Sequence, residues 1–122
     1  MIKILFVCHG NICRSTMSQS VFTYLIRQAG LEDCFEIDSA ATSREEIGNP
    51  PHYGTRNKLR QVQIPLIAHH ARQMTRQDYE KTHQLSAARD VADPWYTGDF
   101  DATYDDILRG CRGLLAYISG GI

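Results

Sequence analysis

The first fifteen residues constrain this chain most. Ile2 to Cys8 (IKILFVC) is an almost unbroken apolar run. So short and continuous a run suits a strand buried on both faces, as in a parallel sheet. A tight polar loop, HGNICR, follows. From Ser15 the period changes: Met17, Val21 and Leu25 recur every four residues, joined by Phe22 and Ile26. That is a broad helical stripe over Ser15 to Ala29, with Gly30 as its stop signal. Strand, loop, helix is therefore the opening unit.

The rest of the chain continues the alternation. FEIDSAATS reads as a second strand of about five residues that breaks into a polar loop. EEIGNPP is loop by its Gly, Asn and two Pro. HYGTRNKLRQVQ reads as a helix ending before Pro65, and LIAHHARQM as extended or irregular. Thr75 with Asp78 marks a helix start. Tyr104, Ile107, Leu108, Cys111, Leu114, Leu115 and Ile118 fall on one helical face, closed by Gly120 and Gly121. This order predicts an α/β fold with a parallel sheet and right-handed crossovers, as one domain over residues 1–122.

Charge and composition narrow the function. The formal net charge of -1 over 122 residues argues against binding nucleic acid or an anionic membrane through bulk charge. No run of about 18 apolar residues spans a membrane. The N-terminal run has one Lys and no small-residue cleavage site, so it reads as a strand of a cytoplasmic protein rather than a signal peptide. Cys8, Cys13, Cys34 and Cys111 form no CxxC pair and are expected as reduced thiols. Adjacent His69 and His70 point in different directions on most backbones, so no metal site is expected. No cofactor is expected either.

A loop between a buried strand and a helix N-terminus aims backbone N–H groups at one spot, and the helix dipole adds positive character there. Such a nest binds an oxyanion. Cys8 stands at its start and Arg14 at its end. The guanidinium fork matches two phosphate oxygens, and the same field favours thiolate over thiol. Gly10 allows a positive φ or close approach to the ligand. Asn11 tolerates the left-handed region and ties the loop with its side chain. Ser15 reaches Cys8 or caps the helix. By spacing alone, Cys8 is equally a small buried residue and Arg14 a surface charge.

VCHGNICRS resembles the phosphate loop of the low-molecular-weight protein-tyrosine phosphatases. DSAATS, IGNPP, ARQMT and DPWYTGDF resemble further segments of that family, in its order. The resemblance implies a metal-free, cysteine-dependent phosphatase on a small doubly wound parallel sheet of flavodoxin-like order, flanked by helices. It implies Cys8 as nucleophile, with Arg14 and the loop residues His9, Gly10, Asn11, Ile12, Cys13 and Ser15 around the phosphate. It assigns Asp93 the general acid, whose Asp-Pro turn and aromatic neighbours favour a protonated carboxyl. Trp95 and Tyr96 would wall a slot for a flat ring, or else be ordinary core. His9 would lie at the slot's mouth. Ile12 stands where relatives acting on phosphoarginine carry threonine, which implies phosphotyrosine in a protein, or a small aryl phosphate, as substrate. The resemblance also implies a protective disulfide between Cys13 and Cys8; the alternative is a buried thiol filling the loop. Ser39 and His69 match positions that brace the loop through Asn11.

The chain departs from the family between Tyr79 and Asp93. Only EKTHQLSAARDVA lies there, where the family carries a strand, a helix and another strand. This stretch shows no clear apolar strand, so central strands are expected to be missing and one side of the first strand to lack its neighbour. A second copy supplying that edge by swapping is one expected solution. Two other functions fit the same loop: a catalytically weak anion- or partner-binding module, and an arsenate reductase. The latter needs downstream cysteines, and residues 80 to 95 hold none.

Overall fold

The computed structural model describes residues 1–82, 84–87 and 94–120, the side chains at 84–87, 95 and 96 excepted. In order the elements are β1 (Ile2–Cys8), α1 (Arg14–Gln28), a 3-10 turn (Glu32–Cys34), β2 (Phe35–Ala41), α2 (Tyr53–Gln61), α3 (Arg76–Lys81), β3 (Gln84–Ala87), α4 (Pro94–Thr97) and α5 (Phe100–Ser119).

The sheet is parallel with order β2-β1-β3. β1 pairs β2 from Ile2↔Phe35 to Cys8↔Ala41, and pairs β3 from Ile4↔Gln84 to Val7↔Ala87. The strand β3 corrects the expectation that β1 lacks a neighbour on one side; the chain itself supplies it, and no swapped copy is needed for that edge. Its four residues, QLSA, carry too little apolar pattern to announce a strand. Their conformation comes from pairing with β1, a contact of long sequence range.

Alternation along β1 splits the core. Ile4 and Phe6 join Met17, Val21, Phe22 and Ile26 of α1 and Ile107 and Cys111 of α5. Leu5 and Val7 join Ala40 on the opposite face, against Met74. The Phe22 ring packs edge-on to Phe35 at 5.6 Å and tilted to Phe6 at 5.8 Å. Helix α1 lies between the sheet and α5, so even its polar residues are buried. Each must find a partner. Thr16 Oγ1 donates to Cys13 O at 3.1 Å, Ser18 Oγ to Arg14 O at 2.8 Å, and Ser20 Oγ accepts from Ile67 N at 3.1 Å.

The last helix starts at Phe100, a turn before its apolar stripe. Asp99 caps it, its side chain accepting from Ala102 N at 2.9 Å. Burial under α1 pushes the Cys111 thiol up to about 12, which leaves it a packing group. Helix α3 has a complete capping box between Thr75 and Asp78, and α4 is a single helical turn over PWYT. Among the described residues no helix is long and apolar enough to cross a membrane.

Candidate active site

Strand β1 delivers Cys8 to the carboxyl edge of the sheet, where it is 8% exposed. The segments after β2 hold the loop that follows. Thr42 N donates to Cys8 O at 3.0 Å, Ser43 N to His9 O at 3.1 Å, and His52 N to Ile12 O at 2.8 Å. Cys13 is the N-cap residue of α1 and makes no side-chain cap, and the first turn of α1 holds no acidic residue. No side chain of the helix itself caps this end, and the positive end of the helix dipole faces the loop. Arg14 opens the helix, half-buried.

The left-handed backbone position of the loop belongs to Asn11, with φ 59°. Gly10 is not among the positive-φ residues, so of the two uses expected of it the positive φ is not found. Its close neighbour is a side chain: a Cβ at Gly10 would lie 3.4 Å from Glu46 Cγ. Asn11 accepts the turn because its short polar side chain bonds locally in that region. The turn aims Asn11 N at Cys8 Sγ, 3.2 Å away.

Asn11 is also the hub of the buried polar groups beneath the loop. Its Nδ2 donates to Ser15 Oγ at 2.6 Å, and Ser15 Oγ lies 3.1 Å from Cys8 Sγ. Since Ser15 Oγ accepts a hydrogen bond from Asn11, its own hydroxyl can turn its hydrogen towards the sulfur. Asn11 Oδ1 accepts from His69 Nε2 at 2.7 Å and from Arg72 N at 3.2 Å. An amide oxygen only accepts, so the proton of His69 sits on Nε2. Ser39 Oγ lies 3.2 Å from the same nitrogen and donates to Gln19 Oε1 at 2.6 Å.

A charged cluster stands behind His69. Arg72 bonds both oxygens of Asp78, at 2.7 Å and 2.9 Å, and Asp38 at 2.8 Å. The hydrogen bonds from Arg72 hold the Asp78 carboxyl down at about 2, while burial opposes the shift. Burial lowers the His69 pKa, against the pull of Asp38, and Arg72 and His70 add to the lowering. Both the neutral Nε2–H tautomer and the imidazolium can donate to Asn11 Oδ1, and the lowered pKa favours the neutral ring.

The structure brings Cys8, Asn11, Ser15, Ser39 and His69 into one connected set. His9 lies outside it: exposed at the rim, its Nε2 meets Glu45 Oε2 at 2.9 Å. Ile12 and Cys13 are buried against Ala71, with Phe100 packed on them, so little of Ile12 is open to a substrate. His70 is exposed where His69 is half-buried. Trp95 and Tyr96 fall on α4, but their side chains lie outside the described residues, as does the whole of Asp93. Among the described residues no group of three or more His, Cys, Asp and Glu could hold a metal.

The sequence assigns no role to Gln19, Glu45, Arg72 or Asp38, and marks Asp78 only as part of a helix start. Gln19 alone left a signal, since it sits four residues after Ser15 and so shares its helix face. Glu45 and Arg72 lie in loops, Asp38 in β2 and Asp78 in α3, and their meeting depends on the fold.

Residues 3–85 match the family model described as low molecular weight phosphotyrosine protein phosphatase. The chain is 36% identical over 150 residues to the low molecular weight protein-tyrosine-phosphatase YfkJ of Bacillus subtilis, covering 97% of this chain and 96% of the relative. That alignment is longer than the chain's 122 residues, so part of the relative has no counterpart here. A low molecular weight phosphotyrosine protein phosphatase of Mus musculus is 33% identical over 148 residues, covering 93% of each. The crystal structure of YfkJ superposes with a TM-score of 0.95 at 35% identity, covering 99% of this chain and 96% of that one. That of a low molecular weight protein tyrosine phosphatase from Streptococcus pyogenes gives 0.87 at 32%, covering 96% and 93%. With the sulfur, the amide nest and the helix terminus in one loop, these matches lead to one conclusion: the chain belongs to the low molecular weight phosphotyrosine protein phosphatase family.

Proposed function

We propose that this protein hydrolyses phosphotyrosine in proteins, and small aryl phosphate monoesters, through a cysteinyl-phosphate intermediate. The observation that carries the proposal is the environment of Cys8 Sγ. It sits at the N-terminal end of α1, 3.2 Å from Asn11 N and 3.1 Å from Ser15 Oγ. A sulfur so placed lies directly beneath an oxyanion held by the loop amides and Arg14.

The Cys8 thiolate attacks phosphorus in line, and the bond from phosphorus to the aryl oxygen breaks. Asp93 gives its proton to the departing oxygen, which leaves as the phenol. Asp93, now a carboxylate, takes a proton from water, and the resulting hydroxide attacks phosphorus. The sulfur–phosphorus bond breaks and inorganic phosphate departs. Positive charge from Arg14 and the loop amides balances the charge on the equatorial oxygens.

The test is turnover of para-nitrophenyl phosphate by wild type and Cys8→Ser. Loss of all turnover in a folded variant is expected. A folded wild type that binds phosphate without turnover overturns the reading in favour of a binding module. For Asp93→Ala, a large loss is expected on phenyl phosphate and a smaller one where the leaving group is good. Equal losses on both would refute the acid role.

A further inference from the structure

Beside the phosphate loop lies a second concavity that the chemistry above does not use. It has a volume of about 390 Å³, lined among the described residues by His52, Tyr53, Gly54, Pro94, Gly98 and Phe100. This falls within the range of small-molecule and side-chain pockets.

Its walls are flat. The His52 and Phe100 rings stack with centroids 5.4 Å apart and planes at 12°, and the Tyr53 ring lies 4.3 Å from His52. Gly54 makes this possible: a Cβ there would fall 2.3 Å from the Phe100 ring, so the ring rests on bare backbone. The His52 ring is fixed in turn, its Nδ1 accepting from Gly54 N at 3.0 Å. Tyr53 stands at the opening, 64% exposed. Among the described lining residues none is a carboxylate, lysine or arginine, and the aromatic faces favour an uncharged ring.

Its position ties it to the reaction. His52 N is bonded to Ile12 O of the phosphate loop at 2.8 Å, and Pro94 directly follows Asp93 in the chain. The concavity thus adjoins both the loop that holds the phosphate and the segment that carries the acid.

We propose that this concavity is a subsite for an uncharged aromatic side chain flanking the phosphotyrosine in the substrate polypeptide. The inference rests on the phosphatase reading above and adds a sequence preference to it. Rings enclosed by aromatic faces gain both area burial and favourable stacking.

The test uses phosphotyrosine peptides of otherwise alanine sequence, with a single Phe or Asp moved through the flanking positions, and phosphate release as readout. Para-nitrophenyl phosphate is run in parallel on the wild type. At one flank the wild type is expected to favour Phe over Ala by about tenfold in kcat/KM, mostly through KM, with no gain for Asp. The same Phe/Ala ratio is then measured within Tyr53→Ala and Tyr53→Phe, which cancels any change in the chemical step. It should fall to about threefold or less in Tyr53→Ala and persist in Tyr53→Phe. A wild-type ratio near one at every position, or a preference untouched by Tyr53→Ala, overturns the subsite while para-nitrophenyl phosphate turnover leaves the phosphatase reading standing. Absence of that turnover overturns both.

Discussion

Replacing Asn11 by alanine tests the architecture of the loop more severely than any other change. Asn11 is fully buried and its φ is 59°. The substitution removes one donor bond, to Ser15 Oγ, and two acceptor bonds, from His69 Nε2 and Arg72 N. Each such bond contributes about 1 kcal/mol net, and a buried group left unpaired costs about 1–3 kcal/mol. Alanine in the left-handed region adds about 1–2 kcal/mol of strain. Together the cost is about 4 kcal/mol, a large part of the stability of a domain this size. Urea denaturation monitored by circular dichroism reads it directly. Asn11→Gly should recover about 1 kcal/mol over Asn11→Ala, since glycine removes the strain and not the lost bonds. Asn11→Asp keeps the acceptor for His69 and Arg72 N but cannot donate to Ser15. It should be more stable than the alanine variant yet lose at least about tenfold in turnover of para-nitrophenyl phosphate. A cost below about 1 kcal/mol for alanine, or glycine no better than alanine, would show that the hub carries neither the strain nor the bonds assigned to it.

Three further outcomes follow from the packing and the charges. Asp78, held at about 2 by Arg72, contributes stability that is complete above its unfolded value of 3.8. That contribution is lost as pH falls through the folded value, so the gap in urea midpoint between wild type and Asp78→Asn should be widest at pH 7 and close towards pH 2. A gap that stays constant over that range refutes the assignment. Gly54→Ala should destabilise by about 1–3 kcal/mol, because its methyl must displace the Phe100 ring. The same change at Gly113, where nothing lies within 4 Å, should stabilise α5 by up to about 1 kcal/mol; thermal denaturation of the two variants reads opposite signs. Thr55 Oγ1 is buried and has no hydrogen-bond partner among the described residues, so Thr55→Val should raise stability by about 1 kcal/mol. A loss on calorimetry would mean that the hydroxyl has a partner.

The parts of the fold that could be read from the chain are those whose cause is local. β1 announces itself by seven residues of apolar run, α1 by its four-residue stripe, and α3 by the spacing of Thr75 and Asp78. The first turn of α5 was missed because its cap, Asp99, precedes the apolar stripe by several residues. Strand β3 was missed because QLSA has no pattern of its own and takes its form from β1. Of the site, Cys8, Arg14 and the loop between them were legible as one strand–loop–helix unit. Ser39 and His69 entered only by resemblance, and Glu45, Gln19 and Arg72 did not enter at all.

Sequence by itself determined where the sulfur stands: a buried strand that ends in cysteine and runs within six residues into a helix has few ways to fold, and each puts that side chain at the helix terminus. Tertiary structure decided what holds the loop in place. The partners of Asn11 Oδ1 come from positions 58 and 61 residues further on, and the arginine that braces them pairs with a carboxylate 34 residues earlier. Local preference extends over a turn or a strand. Bonds between residues that far apart exist only once the sheet has brought β1 and β2 side by side, and no stretch of the chain carries their pattern alone.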